Sequence, residues 1–314
     1  MSASEPLDIK NYIGLTGDTP IRFIASDVDG TLVNDAKSVD PEVVNAVRAA
    51  RESGIRVAIA SGRAWHEMDD IIDAMPCLRY FVCTNGAYVM DKEEQKELVH
   101  ISFDKIRAID LVRKLMTYGV FVEAYVKAEI FGQYPVVGNE TAQAEHFFRP
   151  NIRPFILKTR TIVPDLIAHL ESLPEGPEKI QIFYGDERIR ERILANLRDE
   201  FQGVAVDGKG RERFYDVLES SEGNLEFVLP HTTKGTAVEA LANHWGYTPD
   251  EVMTIGDSEN DLSMIRFASA SVAMGNARDN VKATARYETT DNNHYGVARA
   301  LYSAIAYNRE LENK

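Results

Sequence analysis

From residue 21 the chain alternates short apolar runs with amphipathic segments. The runs "IRFIA" at 21–25 and "IRVAIAS" at 55–61 are apolar on both sides of an extended chain. Such runs are typical of strands buried on both faces of a parallel sheet. Between them, Pro41 suits the first turn of a helix and Gly54 suits its end, so a helix is predicted there. The alternation predicts an α/β fold.

The rhythm changes at Asn85-Gly86, because Asn-Gly between apolar runs is a strong hairpin signal. The segment that follows mixes helical and strand patterns, and the first rhythm returns at "NLEFVLP", which begins at residue 224. We therefore predict a Rossmann-like core with a parallel sheet and helices on both faces, formed by residues 21–88 and 224–314. An inserted α+β domain is expected at 89–223. Residues 1–20 are expected to form a loosely held tail.

Charge and composition narrow the function classes. The 314 residues include 35 Lys and Arg against 49 Asp and Glu, a formal net charge of −14. Such a field repels nucleic acid and anionic membranes, so we expect a small molecule as the partner and neither of these. No apolar run approaches the roughly 18 residues of a membrane span, and the N-terminus lacks a basic and then apolar leader, which predicts a cytoplasmic protein. The sequence does not set the oligomeric state.

Two cysteines exclude further classes of site. Cys77 and Cys83 are the only cysteines in the sequence. They are too few for a disulfide framework and lack the Cys-x-x-Cys spacing of zinc and redox sites.

Four polar motifs follow predicted strands or open predicted helices. They are Asp27–Thr31, Ser61-Gly62-Arg63, Thr233-Lys234-Gly235 and Gly256–Asp261. In open parallel sheets ligands collect at the carboxyl ends of the strands, where such motifs meet. Asp27 and Asp29, two carboxylates directly after a buried strand, are costly unless a cation or a proton lies between them.

The residue types suit phosphoryl transfer. Magnesium prefers oxygen ligands, usually one or two carboxylates with water and substrate phosphate, and Asp27 and Asp257 could supply these. A carboxylate is also a competent nucleophile toward phosphorus. Asp27 and Asp29 can therefore divide the roles of nucleophile and general acid/base, while Lys234 offers a positive charge to the phosphoryl group.

The remaining motif residues fit the same task. Ser61 and Thr31 offer hydroxyl groups, while Gly30 and Gly62 let backbone amides approach phosphate oxygens. Asp261 lies four residues after Asp257 and could orient a metal-bound water or Lys234.

Each motif alone has a plainer interpretation. Asp-Gly is often only a turn, Arg63 could be a surface charge, and Lys234 could be a solvated lysine. A calcium-binding EF-hand loop starting at Asp27 fails, because Leu32 and Ser38 stand where Gly and Glu are needed. The four motifs in order favour a phosphoryl-transfer site.

Together the motifs resemble the signature motifs of the haloacid dehalogenase superfamily, specifically its Cof-type sugar-phosphatase-like branch. That branch also tends to carry Asn-Gly-Ala and Gly-Asn-Ala, found here at 85–87 and 275–277. The similarity covers residues 21–88 and 224–300. For the insertion, it extends only to the expected arrangement, a large α/β cap between the second and third motifs.

The resemblance implies a role for each motif residue. Asp27 would be the nucleophile and Asp29 the acid/base. Magnesium would be held by the carboxylates of Asp27 and Asp257 and the main-chain oxygen of Asp29, with Asp261 supporting the metal site. Val28, Gly30, Thr31, Ser61, Gly62, Lys234 and Asn260 would surround the phosphoryl group. Val28 replaces the commoner Leu, which should matter little because only its backbone would face phosphate.

The resemblance implies a magnesium-dependent phosphatase that acts on small phosphorylated metabolites. A phosphomutase or phosphotransferase on the same core is an alternative, and product analysis separates the two. A non-catalytic binding module is another, although such a module would be expected to have lost one of the acids or Lys234. The cap would select the leaving group. Glu123, Tyr125, Lys179 and Tyr184 are candidates for that role, although strand alternation could equally send some of them to solvent.

Overall fold

The computed structural model describes residues 7–127, 129–136, 138–201, 204–205, 211–219 and 223–314. The chain divides into two compact units. The first comprises the described residues up to Arg63, together with Met68–Val99 and Thr233–Lys314, and the second comprises Ala64–Glu67 and His100–Thr232.

The first hundred residues form most of one sheet. Their strands and helices are β1 (Phe23–Ser26), α1 (Pro41–Glu52), β2 (Arg56–Ala60), α2 (Asp69–Ala74), β3 (Tyr80–Cys83), β4 (Tyr88–Asp91) and β5 (Lys96–His100). Short 3-10 turns lie at Trp65–Met68 and Thr84–Gly86. Helix α1 begins as predicted, with Pro41 in its first turn and the Asp40 side chain accepting from the Glu42 amide at 2.9 Å.

The middle of the chain forms a second sheet with its own helices. Its elements are α3 (Lys105–Met116), β6 (Phe121–Val126), β7 (Glu129–Gln133), α4 (Glu140–Phe147), α5 (Arg153–Thr159), β8 (Thr161–Ile162), α6 (Leu166–Ser172), β9 (Lys179–Phe183), α7 (Glu187–Phe201), β10 (Val204–Ala205), β11 (Arg211–Glu212), β12 (Asp216–Leu218) and β13 (Asn224–Val228).

The C-terminal part returns to alternating helices and strands. Its elements are α8 (Lys234–His244), β14 (Val252–Gly256), α9 (Leu262–Phe267), β15 (Ala270–Ala273), α10 (Asp279–Thr284), β16 (Tyr287–Glu288) and α11 (Gly296–Glu312), with 3-10 turns at Pro249–Glu251 and Glu259–Asp261.

The sheet of the first unit carries the predicted motifs. Its strand order is β16-β15-β14-β1-β2-β3-β4-β5, and β1 pairs in parallel with both β14 and β2. Every residue of β1 and β14 is buried, as expected for strands covered on both faces. The α/β class with a parallel core sheet and helices is confirmed.

The sheet of the second unit is mainly antiparallel, in the order β12-β13-β9-β6-β7-β8. One face packs against α3, α6 and α7 in a continuous apolar cluster. On the opposite face, Phe121 and Phe183 pack with aromatic residues of α4, including Phe147 and the adjoining Phe148. This unit is an α+β layer.

The boundaries of the units differ from the sequence-based ones. Residues 89–99 were assigned to the insertion, but β4 pairs antiparallel with β3 and extends the core sheet. Residues 224–232 were assigned to the core, but β13 pairs with β9 in the second sheet. Apolar strand patterns look alike in both sheets, and only the pairing partner decides the sheet.

The described part of the N-terminal segment, residues 7–20, is held more closely than expected. Leu15 is buried, the Ile13 amide donates to Ser303 Oγ at 3.2 Å, and Tyr307 donates to the Thr19 carbonyl at 3.2 Å. The expectation of a loose tail is wrong for these residues because α11 supplies polar partners to the segment. Residues 1–6 lie outside the described part.

The four candidates for leaving-group contacts are all buried, so none of them faces solvent. Strand alternation puts Glu123, Tyr125 and Lys179 on one face of the second sheet, where Tyr125 donates to Glu123 at 2.8 Å. Tyr184 packs instead in the apolar cluster on the other face. The four candidates therefore do not form one group.

Across the described ranges, no helix is long and apolar enough to cross a membrane.

We expect the Asp40→Ala substitution to lower the free energy of unfolding by about 1 kcal/mol, because it removes the N-cap of α1. Chemical denaturation measures this change. The matched control is Asn45→Ala at an exposed position within the same helix. It should stabilise by a few tenths of a kcal/mol, since Ala has the higher helix propensity. Equal effects of the two substitutions would contradict the capping role.

Candidate active site

The four predicted motifs converge at the carboxyl edge of the first unit's sheet. Asp27 directly follows β1, Ser61 follows β2 and Asp257 follows β14, and these three strands are neighbours. Lys234 is the first residue of α8. Strand order thus brings together residues that are far apart in sequence.

A buried lysine bridges two carboxylates. Lys234 Nζ lies 2.5 Å from Asp27 Oδ1 and 2.7 Å from Asp261 Oδ1. Lys234 is 1% exposed, Asp27 4% and Asp261 0%. At this burial an unpaired charge is very unfavourable, so each of the three groups depends on the others.

Both carboxylate oxygens of Asp261 accept hydrogen bonds from protein groups. Its second oxygen, Oδ2, accepts from the backbone amides of Asp257 and Ser258, both at 3.0 Å. Gly256 allows this packing, because a Cβ there would lie 2.6 Å from the Asp261 Cβ. Asp261 therefore fixes the turn that carries Asp257 and holds Lys234.

The site has more negative charge than Lys234 can neutralise. Burial and then the neighbouring Asp261 carboxylate raise the pKa of Asp27 to about 8, although the Lys234 charge opposes the shift. Burial and Asp261 likewise raise the pKa of Asp257. The pKa of Lys234 is raised despite its burial, because the charges of Asp261 and Asp27 favour the ammonium.

The arrangement fits a divalent cation. Asp27, Asp257 and Asp261 each offer one carboxylate oxygen, and these oxygens lie within 4.8 Å of one another. Asp27 Oδ2 is buried and has no hydrogen-bond partner among the described residues. A hard cation with oxygen ligands would satisfy this atom and offset the excess charge.

Gly30 and Thr31 shape the loop around Asp257. Gly30 has φ of +80°, and a Cβ on it would lie 2.6 Å from Asp257 Oδ2. Thr31 Oγ1 donates to Asp257 Oδ1 at 3.2 Å. Val28 is fully buried, so its side chain does not face a ligand.

The Asp29 carboxylate contacts two positively charged side chains. The Arg63 guanidinium donates Nε to Oδ2 at 2.8 Å and an Nη nitrogen to Oδ1 at 2.7 Å, and Lys37 Nζ lies 2.8 Å from Oδ1. Burial alone would raise the pKa of Asp29, but the hydrogen bonds and charges of Arg63 and Lys37 lower it to about 2. Arg63 is therefore part of the site and not a plain surface charge.

Asn85 links the second and fourth motifs by contacting residues of both. Ser61 Oγ accepts from the Arg63 amide at 3.1 Å. Gly62 lies against Asn85, whose side chain would be 3.2 Å from an added Cβ. Asn260 Nδ2 donates to Asn85 Oδ1 at 3.3 Å.

Sequence reasoning missed two groups of residues at this edge. Lys37 comes from a turn that folds back onto Asp29. Asn276 Nδ2 donates to the Gly30 carbonyl at 2.8 Å, and its Oδ1 accepts from the Asn292 amide at 3.2 Å. A polar residue in a loop has no periodicity to reveal its partner, so only the Gly-Asn-Ala motif gave a signal for Asn276.

Comparison with known proteins supports the family that the sequence motifs indicate. The model of the haloacid dehalogenase-like hydrolase family matches residues 24–301. Phosphatase YwpJ of Bacillus subtilis is 30% identical over 290 residues, which cover 90% of this chain and 99% of that protein. The chloroplastic endoribonuclease YBEY of Arabidopsis thaliana is 44% identical over 297 residues, covering 89% of this chain but only 46% of that protein.

A solved structure agrees with the fold. The crystal structure of a haloacid dehalogenase-like hydrolase from Bacteroides thetaiotaomicron superposes with a TM-score of 0.72 at 26% identity, covering 90% of this chain and 98% of that one. The matched family region includes all four motifs at the sheet edge. The chain belongs to the haloacid dehalogenase-like hydrolase family and is a phosphatase of its Cof type.

Proposed function

We propose that the protein is a magnesium-dependent phosphatase that hydrolyses small phosphate monoesters through an aspartyl-phosphate at Asp27. The observation that carries the proposal is the buried carboxylate of Asp27. One of its oxygens is held by Lys234, and the other has no hydrogen-bond partner within the described part of the chain. An unpartnered carboxylate oxygen at a sheet edge is placed to bind a cation or to attack phosphorus.

The first half-reaction forms a bond from an Asp27 oxygen to phosphorus and breaks the ester P–O bond. Asp29, when protonated, gives its proton to the leaving oxygen. In the second half-reaction Asp29 takes a proton from water, the water oxygen attacks phosphorus, and the P–O bond to Asp27 breaks. The products are the alcohol and inorganic phosphate, and both carboxyl groups return to their starting states.

The ion pair of Asp29 sets a condition on this cycle. With Arg63 and Lys37 on its carboxylate, Asp29 is ionised at neutral pH. Proton donation therefore requires that these cations leave it or turn to the negatively charged substrate. An arginine released from Asp29 could pair with a phosphoryl oxygen instead.

The carboxylates of Asp27 and Asp257 and the main-chain oxygen of Asp29 would hold magnesium. When bound, the ion would neutralise the carboxylates and polarise the phosphoryl oxygens. Ser61, Thr31 and Asn260 would donate to the phosphoryl oxygens, together with the backbone amides of Val28, Gly30 and Gly62. Lys234 keeps Asp27 in place and meets part of the negative charge.

We also propose that the inserted unit selects the leaving group. The core motifs all address the phosphoryl group, which every phosphate monoester shares, so discrimination must come from other residues. On one face of the second sheet, Arg160 donates to Glu123 and to Tyr125 Oη at 3.0 Å. Such polar side chains suit a hydroxylated leaving group.

YBEY is named an endoribonuclease, but that protein is about twice as long as this chain, so the named activity is not carried over to this chain. The net charge of −14 also disfavours nucleic acid as a partner. A phosphomutase or phosphotransferase would use the same Asp27 chemistry with a hydroxyl acceptor in place of water. Release of inorganic phosphate without a transferred or isomerised product distinguishes hydrolysis.

The Asp27→Asn substitution should lower phosphate release from a panel of phosphate esters by at least about a thousandfold, because it removes the nucleophile and keeps its shape. Magnesium should still stabilise the variant. The control is Asp18→Asn, at an exposed acid, which should retain wild-type turnover. Near-wild-type turnover by Asp27→Asn would contradict the assignment.

The Asp29→Asn substitution should let phosphorylated protein accumulate during turnover, because hydrolysis of the intermediate lacks its base. Intact-mass analysis after acid quenching detects this species. An unchanged steady-state rate with no phosphorylated protein would argue against the acid/base role of Asp29.

Without metal, the stability of the protein should increase as pH falls from 8 toward 5. The folded state keeps Asp27 protonated up to about pH 8, whereas the unfolded chain loses that proton near the ordinary aspartate pKa of 3.8. Lower pH therefore favours the folded state. We expect this contribution to exceed about 1 kcal/mol and to be absent in Asp27→Asn.

Urea denaturation with a chelator at several pH values measures this difference. Equal pH slopes for the wild type and Asp27→Asn would show that the site does not hold the proton.

A further inference from the structure

The loop Thr84–Ala87 has no part in the mechanism above, although it lies beside three of the four motifs. Asn85, at its centre, adopts left-handed backbone angles with φ 54° and ψ 27°. Asn tolerates this region better than most residues, yet it is uncommon for any residue except glycine. The loop holds Asn85 in this conformation between β3 and β4.

Backbone contacts fix the loop against the second and third motifs. The Asn85 amide donates to the Ser61 carbonyl at 2.9 Å. Gly62 lies against the Asn85 carboxamide, and a Cβ on Gly62 would be 3.2 Å from Asn85 Oδ1. Gly86 lies so close to the third motif that a Cβ added to it would be 2.3 Å from the Thr233 carbonyl oxygen. The position of Asn85 is therefore set by the residues around the phosphoryl site.

The Asn85 side chain reaches the fourth motif. Its Oδ1 accepts from Asn260 Nδ2 at 3.3 Å, while Asn260 Oδ1 accepts from Ser258 Oγ at 2.9 Å. Both ends of the Asn260 amide are thereby oriented. A carboxamide nitrogen has two hydrogens, and the described residues supply an acceptor for only one of those on Asn260 Nδ2, so the second can serve another acceptor.

The two partners of this hydrogen bond follow strands that lie on either side of β1 and β2 in the sheet. In the strand order β14-β1-β2-β3, the bond joins the turn after β14 to the loop after β3. These strands are three spacings apart, about 14 Å. The loop after β3 and the turn after β14 therefore approach each other beyond the carboxyl ends of β1 and β2, where Asp27 and Ser61 lie.

We propose that Asn85 is a positioning residue for phosphoryl binding. It holds the Asn260 amide so that the remaining Nδ2 hydrogen donates to a phosphoryl oxygen. This inference rests on the proposed function, since it assigns a substrate-binding task to the same site.

The test compares Asn85→Gly with the wild type. Glycine adopts the left-handed conformation without penalty, so the variant should fold with an unchanged or higher melting temperature. Loss of the oriented donor should raise KM for a phosphate monoester, and the inhibition constant of inorganic phosphate, by about tenfold. We expect kcat to change by less than about threefold, because Asp27 and Asp29 are untouched.

A matched control isolates the side chain from the backbone. Asn139, an exposed residue of the second unit, also has left-handed angles, with φ 52° and ψ 46°. Asn139→Gly should leave both KM and phosphate inhibition unchanged. A purely structural role for Asn85 would alter the melting temperature and leave KM at the wild-type value.

A double-mutant cycle tests the route through Asn260. Asn260→Ala should raise KM by a similar factor, and the double variant should differ from Asn260→Ala by less than about twofold. Effects that multiply would overturn the inference, because Asn85 would then act independently of Asn260.

Failure of the inference is distinguishable from failure of the proposed function. A wild-type protein that releases no phosphate from any ester refutes the function. If the wild type is active and Asn85→Gly shows the same KM and the same inhibition by phosphate, only the role of Asn85 is refuted.

Discussion

Lys234 shared between Asp27 and Asp261 is the interaction on which the rest of the site depends. An ammonium group this deeply buried is stable only when carboxylates meet it at hydrogen-bond distance, and here the two distances are 2.5 and 2.7 Å. The three groups come from the end of β1, the start of α8 and the turn after β14. Pairing of β1 with β14 and packing of α8 beside them are therefore prerequisites of the site.

Even with this interaction, the site has more negative than positive charge. Asp27, Asp257 and Asp261 face one lysine, and burial together with the Asp261 charge raises the pKa values of Asp27 and Asp257. A folded protein with uncompensated buried carboxylates gains stability from any cation that fits between them. The proposed binding of a divalent ion and the proposed attack of Asp27 on phosphorus would thus share one electrostatic cause.

Local sequence predicted which side chains come together at the sheet edge. Asp27, Lys234, Asp257 and Asp261 each belong to a short motif beside an apolar strand or a helix start, and a parallel sheet brings such positions to one edge. The sequence even suggested that Asp261 could orient Lys234, although it left a metal-bound water as the other choice.

Residues whose partners depend on loop geometry were not predicted. Lys37 and Arg63 meet at Asp29 only because a turn folds back and the loop after β2 aims its guanidinium inward. Asn85 was interpreted as a hairpin signal, and β3 does pair with β4 as a hairpin. Its contact with Asn260 joins residues that are 175 positions apart in the sequence, and a local sequence pattern cannot predict such a contact.

The most direct measurement is phosphate release by the wild-type protein after exhaustive chelation and again after addition of magnesium. If the proposal is right, turnover will fall to background in the chelator and return with the metal, because a cation would offset the clustered carboxylates that otherwise repel a phosphoryl group. Undiminished turnover in the chelated protein would contradict it.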